Sequence, residues 1–197
     1  DQKTDSGANS RTDDAILNVF MKVFNEMRGY YPKQGYIAAF EKKLDADKLY
    51  DDFKVKFQSH SGTSWEVGRE QFEWEVDNIA KAISEVRSIS YESAQQQVEK
   101  LDSNYSISVE DFANEVKAFV DTQEKDYRLI FMVDEVGQYI GDNSRLMLNL
   151  QTIVETLATK CKGSAWVVVT SQSAVAELVD TNKLTETDFS KILGRFK

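Results

Sequence analysis

Proline, cysteine and histidine are each represented by a single residue among the 197 of this chain. The one cysteine, Cys161, cannot form an intramolecular disulfide, and His60 stands in a polar segment without the ligand spacing of a metal site. No apolar run approaches the roughly 20 residues that span a bilayer, and the beginning of the sequence has no secretory signal pattern. We therefore expect a cytoplasmic protein that does not enter a membrane.

Basic residues are scarce in the first two thirds of the chain. Residues 1–126 hold 16 basic and 25 acidic side chains, whereas residues 127–197 hold 8 of each. The net charge of -9 therefore arises entirely before Tyr127. An acidic surface repels phosphate backbones, so we expect no direct nucleic-acid binding by this chain.

The apolar residues predict four segments along the chain. Residues 1–11 are almost without apolar side chains and predict a flexible lead-in. Residues 12–29 predict an amphipathic helix with Gly29 as its stop. Residues 30–126 predict an acidic helical stretch, and residues 127–197 contain apolar runs that are typical of strands.

Within the helical stretch, the 3.6-residue apolar period predicts a single helix of about six turns from Trp65 to Val86. Asp45 is a candidate N-cap between two shorter helices that precede it. Ser108, with Asp111 three residues later, predicts a capping box at the start of the last helix before residue 122. The tryptophans Trp65, Trp74 and Trp166 are interpreted as core or interface aromatics.

Two continuous apolar runs, 129–133 and 165–169, flank a predicted helix over 144–160. Strands of this composition are usually buried on both faces. The order strand, helix, strand predicts a parallel crossover, and hence an α/β fold. A parallel strand that has lost a neighbour has a free edge, so self-association through this edge is expected unless other parts of the chain cover it.

Acidic and polar residues directly follow the two predicted strands, where ligands bind in parallel sheets. Asp134 and Glu135 after the first strand form a Walker B pattern, in which the first acid holds Mg²⁺ through water and the second orients the attacking water. Ser171 or Gln172 after the second strand is placed to sense a γ-phosphate. The open alternative is that these residues only mark the emergence of the chain into solvent.

The phosphate-binding loop of such ATPases is missing from the sequence. None of the nine glycines is followed by lysine, so no Gly-x-x-x-x-Gly-Lys-Ser/Thr motif is present. This loop precedes the Walker B strand, and we therefore expect an internal fragment that starts downstream of it. Such a fragment is predicted to be inactive alone, with neither ATP nor magnesium bound tightly.

Longer stretches carry a more specific resemblance. LIFMVDEVGQYIG, LMLNLQTIVETL, GSAWVVVTSQ and DFSKILGRF resemble, in the same order, the BREX phage-defence P-loop ATPase family (BrxC/PglY). The resemblance implies a partial AAA-type ATPase core with parallel strands, in which residues 12–29 and 127–197 belong to the core and residues 30–126 form a large helical insertion. It also implies a cytoplasmic full-length ATPase that uses ATP and magnesium in anti-phage defence.

The resemblance also implies roles for single residues and for partners. Asp134 would hold magnesium through water, Glu135 would activate water, and Ser171 or Gln172 would sense the γ-phosphate. Arg195 resembles an arginine that reaches the nucleotide of a neighbouring subunit, although it also fits a surface position at a helix end. The partners would be other subunits of the ATPase and other BREX defence proteins. The alternative function is a helical protein–protein interaction module within a defence complex.

Overall fold

A computed structural model describes residues 15–136 and 143–170 of the chain. The described part is mostly helical with a small two-stranded parallel sheet, which confirms a mixed α/β class. The chain divides into two compact units, which we name the helical unit (residues 21–106) and the sheet unit (residues 1–20 and 107–197). The predicted lead-in over residues 1–11 lies outside the described residues.

The elements follow one another in the order in which we number them. No helix among the described residues is both long and apolar enough to cross a bilayer. The helices and strands are α1 (Ala15–Met27), α2 (Gly35–Ala46), α3 (Tyr50–Ser61), α4 (Trp65–Gly68), a 3₁₀ helix (Arg69–Trp74), α5 (Val76–Arg87), α6 (Tyr91–Glu99), α7 (Val109–Asp121), β1 (Leu129–Val133), α8 (Ser144–Cys161) and β2 (Ala165–Val169).

The core of the helical unit is built around Trp65, whose side chain is fully buried. Its indole meets the rings of Phe53 and Phe57 edge to face, with centroids 4.9 and 5.1 Å away. Such pairs add a specific geometry to the large apolar area that aromatic residues bury. Gly68 lies against Phe57 so closely that a Cβ atom there would be 2.3 Å from the ring. Any larger residue at this position would force the ring of Phe57 to move.

Two predictions about the helical unit are wrong. The predicted six-turn helix from Trp65 to Val86 is divided into α4, the 3₁₀ helix and α5, because Gln71 has non-helical backbone angles (φ -122°, ψ 37°). The break leaves Trp74 87% exposed, so Trp74 is not a core residue. Asp45 does not cap α3, which begins after Leu49; it lies inside α2 and accepts a hydrogen bond from the Tyr30 hydroxyl at 2.5 Å.

The helix ends of the sheet unit follow local sequence rules. The predicted capping box of α7 is confirmed, since the Ser108 hydroxyl accepts from the Asp111 N–H and the Asp111 carboxylate accepts from the Ser108 N–H. Asn143 caps α8 by accepting from two amides of its first turn. Lys162 and Gly163, both left-handed at φ +47° and +87°, end α8.

Strands β1 and β2 are parallel, with Leu129 opposite Ala165 and Val133 opposite Val169. One face of this sheet is buried and contacts the core of the sheet unit. Phe131 lies on that face, where its ring packs against Phe20 and Phe112 with centroids 5.2 and 5.8 Å apart. Helices α7 and α8 pack against each other and both contact β2. The parallel pairing predicted from the order of the elements is therefore confirmed.

The prediction that both strands are buried on both faces is wrong for the described residues. Buried and more exposed residues alternate along both strands. The second face of the sheet exposes four large apolar side chains, of which Met132 is 78% and Trp166 57% exposed. The pleat sends successive side chains to opposite faces, and α7 and α8 pack on the face that carries Leu129 and Phe131. A continuous apolar run therefore does not by itself guarantee two covered faces.

Candidate functional site

The parallel register brings the ends of β1 and β2 to one edge of the sheet. Val133 pairs with Val169, so the next residues, Asp134 and Thr170, come together immediately beyond the strands. The Thr170 N–H donates to the Val133 carbonyl at 3.0 Å, and the Val136 N–H donates to the Thr170 carbonyl, also at 3.0 Å. The backbone of Thr170 thus ties the turn after β1 to the end of β2.

The hydroxyl of Thr170 connects both predicted acidic residues. It donates a hydrogen bond to Oδ1 of Asp134 and accepts one from the Glu135 N–H at 3.1 Å. This contact fixes one oxygen of the Asp134 carboxylate, while the second oxygen accepts no hydrogen bond from a described residue. The end of the sheet therefore holds an oriented, solvent-exposed carboxylate.

Glu135 has a left-handed backbone conformation, with φ at +51°. A residue with a Cβ atom is uncommon there, and the conformation costs about 1–2 kcal/mol. The hydrogen bond from its own N–H to Thr170 and the bond from Val136 to the Thr170 carbonyl hold the turn in this shape. Backbone strain of this kind clusters at active sites and ligand-binding turns.

The structure describes only some of the residues that were predicted for this site. Asp134 and Glu135 lie beyond the carboxyl end of a parallel strand, at the position where the sequence placed them. Ser171, Gln172 and Arg195 lie outside the described residues, and their predicted roles stay predictions. Thr170 directly precedes Ser171 and has no role predicted from the sequence. The strand register is the signal that singles it out.

One carboxylate is a weak ligand set for a metal ion. Among residues 15–136 and 143–170, no group of three or more His, Cys, Asp or Glu side chains is placed to hold a metal. Mg²⁺, however, is usually bound through one or two carboxylates together with waters and substrate phosphates. The exposed Asp134 carboxylate fits such an indirect role, and it does not fit a complete protein cage.

A second polar constellation lies in the core of the helical unit, around Glu41, which is fully buried. Its Oε1 accepts from the Trp65 indole N–H at 2.7 Å and from the Arg69 guanidinium at 2.8 Å. Its Oε2 accepts from the Tyr31 backbone N–H at 2.6 Å. Burial alone would lower the pKa of Arg69, but its hydrogen bond to Glu41 and the charge of Glu41 raise it above its usual value.

This buried carboxylate is a structural group. Both of its oxygens are occupied by donors from three different segments, and no solvent reaches it. The phenol of Tyr50 is also perturbed, since burial first and then the charge of Glu41 raise its pKa. Because its oxygens are occupied and inaccessible, the Glu41 carboxylate cannot exchange protons with a substrate. Its hydrogen bonds connect α2 to α4 and to the 3₁₀ helix.

The role of Thr170 can be tested in the isolated chain. Thr170→Val should accelerate hydrogen exchange of the Glu135 amide about five- to tenfold, because one neutral hydrogen bond is lost. Exchange followed by NMR measures this, and Thr170→Ser is the matched control that keeps the hydroxyl. The amide of Val136, which donates to the Thr170 carbonyl, should change little in either variant. Equal exchange of Glu135 in both variants would contradict the assigned contact.

The whole chain was compared with known families and known structures. No family model matches it, and no solved structure matches it either. The resemblance to the BREX phage-defence ATPases therefore stays a prediction that depends on the sequence stretches quoted above.

Proposed function

We propose that this chain supplies the Walker B acids and the adjoining strand of a P-loop ATPase of the BREX phage-defence type. The observation that supports the proposal most is the parallel pairing of β1 and β2, with Asp134 and Thr170 at the same carboxyl edge. In α/β proteins that edge is where ligands bind. An acid at the carboxyl end of an apolar strand is what a Walker B pattern requires.

In the proposed mechanism, the residues of this chain have two tasks. Asp134 would hold a magnesium ion through its bound water molecules, and the Thr170 hydroxyl keeps the Asp134 carboxylate in one orientation. Glu135 would accept a proton from the attacking water and orient that water for attack. Bound magnesium would neutralise charge on the phosphates. The phosphate-binding loop that holds the nucleotide would come from a part of the protein outside this sequence.

The proposal predicts that replacing Asp134 changes the magnesium dependence of ATP hydrolysis by the full-length gene product that carries this chain. Asp134→Asn should raise the magnesium concentration that gives half-maximal ATP hydrolysis about tenfold, because the charged acceptor of the magnesium-bound waters is lost. ATPase rates at fixed ATP and varied magnesium provide the measurement.

Asp126→Asn is the matched control for this experiment. Asp126 is exposed and precedes β1 in the sequence, so its replacement removes the same charge without touching the end of the strand. The control should keep the magnesium dependence of the parent. An Asp134→Asn variant with an unchanged magnesium dependence would remove Asp134 from the magnesium site.

A further inference from the structure

The helical unit contains a surface pocket of about 450 Å³. One wall is a face of α2, with Tyr36, Phe40 and Lys43 at three- and four-residue steps. The opposite wall is a face of α6 that ends in Lys100. The end of α5, with Arg87, completes the lining. The volume lies within the range of about 300–1,000 Å³ that is usual for small-molecule sites.

The charged residues that line this pocket are all cations. Lys43, Arg87 and Lys100 contribute to the lining, and no Asp or Glu does. Arg87 already donates to Asp47 at 2.6 Å, whereas neither lysine forms an ion pair with a described residue. The chain as a whole has a net charge of -9, so the positive charge of the pocket lining is a local feature. Two lysine ammonium groups with unused donors favour an anionic ligand, and a phosphate group, which lysine binds as a point charge, is one such anion.

The remaining lining residues suit an organic body attached to the anion. Gln96 and Gln97 of the glutamine run in α6 line the pocket together with Asn104, and their amides supply donors and acceptors, of which the Gln97 Nε2 also donates to the Ser93 hydroxyl at 3.5 Å. Tyr36 and Phe40 add aromatic surface.

Tyr105 closes the pocket at the start of α2. A Cβ atom on Gly35 would be 2.3 Å from the Tyr105 hydroxyl, so only glycine allows this close approach. The same pocket thus combines cations, amides and aromatic rings, which come from α2, the end of α5, α6 and the segment after α6.

We propose that this pocket between α2, α5 and α6 is a binding site for a small phosphate ester. The phosphate would be held by Lys43 and Lys100, and the organic part would lie against Tyr36 and the amides of Gln96 and Gln97. This site is separate from the carboxylates after β1. It needs neither magnesium nor a glycine-rich loop, because side-chain cations supply the positive charge.

Titration calorimetry with AMP tests the proposal on the intact chain, without magnesium. AMP should bind at one site with a dissociation constant on the order of 100 μM. Lys43→Ala combined with Lys100→Ala should weaken binding about tenfold or more, because charge-assisted hydrogen bonds to the phosphate are lost. Lys22→Ala with Lys48→Ala, which removes two exposed lysines of the same unit outside the pocket, should leave binding unchanged.

Two further arms locate the ligand. Ala39→Phe places a ring in the pocket without changing its charge and should abolish AMP binding, with circular dichroism used to check that the variant is folded. Asp134→Asn should leave AMP binding unchanged, which separates this site from the proposed ATPase site. Ribose 5-phosphate should bind more weakly than AMP, and inorganic phosphate more weakly still.

Three results would overturn the proposal. The first is the absence of saturable AMP binding at millimolar concentration. The second is an equal loss of affinity for AMP in the Lys43/Lys100 and the Lys22/Lys48 double variants, which would indicate only general electrostatic attraction of AMP to the surface. The third is inorganic phosphate binding as tightly as AMP, which would show that the organic part does not occupy the pocket.

Discussion

Glu41→Ala should destabilise the helical unit by about 3–5 kcal/mol, because it removes one partner of a buried ion pair and leaves the other charge uncompensated. The Trp65 indole, the Arg69 guanidinium and the Tyr31 amide would all lose their acceptor at once. Water cannot take the place of this acceptor without opening the core around Trp65. Urea unfolding monitored by circular dichroism and by tryptophan fluorescence measures the loss.

The controls for this prediction separate charge from packing. Glu26→Ala removes an exposed acid from α1 and should change stability by less than about 0.5 kcal/mol. Glu41→Gln keeps the size and one acceptor oxygen and should cost less than the alanine variant. Glu41→Leu combined with Arg69→Met removes both charges, and such replacements are often close to neutral. A loss below about 1 kcal/mol for Glu41→Ala would show that the network is not important for folding.

The sequence contained a signal for this network that a simple interpretation misses. Glu41 follows Ile37 by four residues and precedes Leu44 by three, so it lies on the apolar face of α2. An acid at such a position indicates either that the helix assignment is wrong or that the acid is buried and has hydrogen-bonding partners. Its side-chain partners, Trp65 and Arg69, lie 24 and 28 residues further along the chain, and no local rule connects them to Glu41. The position could be predicted, whereas the ion pair could not.

Local rules account for the helix ends and fail at the helix break. The capping box at Ser108 and the stop of α1 at Gly29 depend on neighbouring residues only, and both predictions are confirmed. The break near Gln71 interrupts an apolar pattern that continues without a visible change. It accompanies the close contact between Gly68 and Phe57, two residues that belong to different helices. Periodicity alone contains no information about such a contact.

The same distinction applies to the end of the sheet. The position of Asp134 and Glu135 beyond a strand follows directly from the sequence, because the apolar run ends at Val133. The contact with Thr170 requires the register between β1 and β2, which neither strand specifies by itself. Once the register is known, Thr170 is the residue one step beyond the partner of Val133. The candidate site was therefore predictable from one strand, and its hydrogen bonding was not.

Under the proposed ATPase function, Glu135→Gln in the full-length gene product should slow ATP hydrolysis by about 10²–10⁴-fold while ATP binding is retained. Glutamine has nearly the same size and can still accept a hydrogen bond from the water, but it cannot take up a proton. The backbone N–H of residue 135 should keep its bond to Thr170, so the turn itself should not change. Single-turnover hydrolysis and a binding assay with a fluorescent ATP analogue measure the two quantities separately.

The matched control is Glu124→Gln, which neutralises an exposed acid before β1 and should leave turnover unchanged. Glu135→Asp is informative as well, because it keeps the carboxylate but shortens the side chain by one methylene, and its turnover should fall between those of the parent and Glu135→Gln. Such an order would indicate that both the charge and the reach of the side chain matter. Turnover of Glu135→Gln equal to that of the parent would exclude Glu135 as the base, and a simultaneous loss of ATP binding would indicate a structural role for the turn instead.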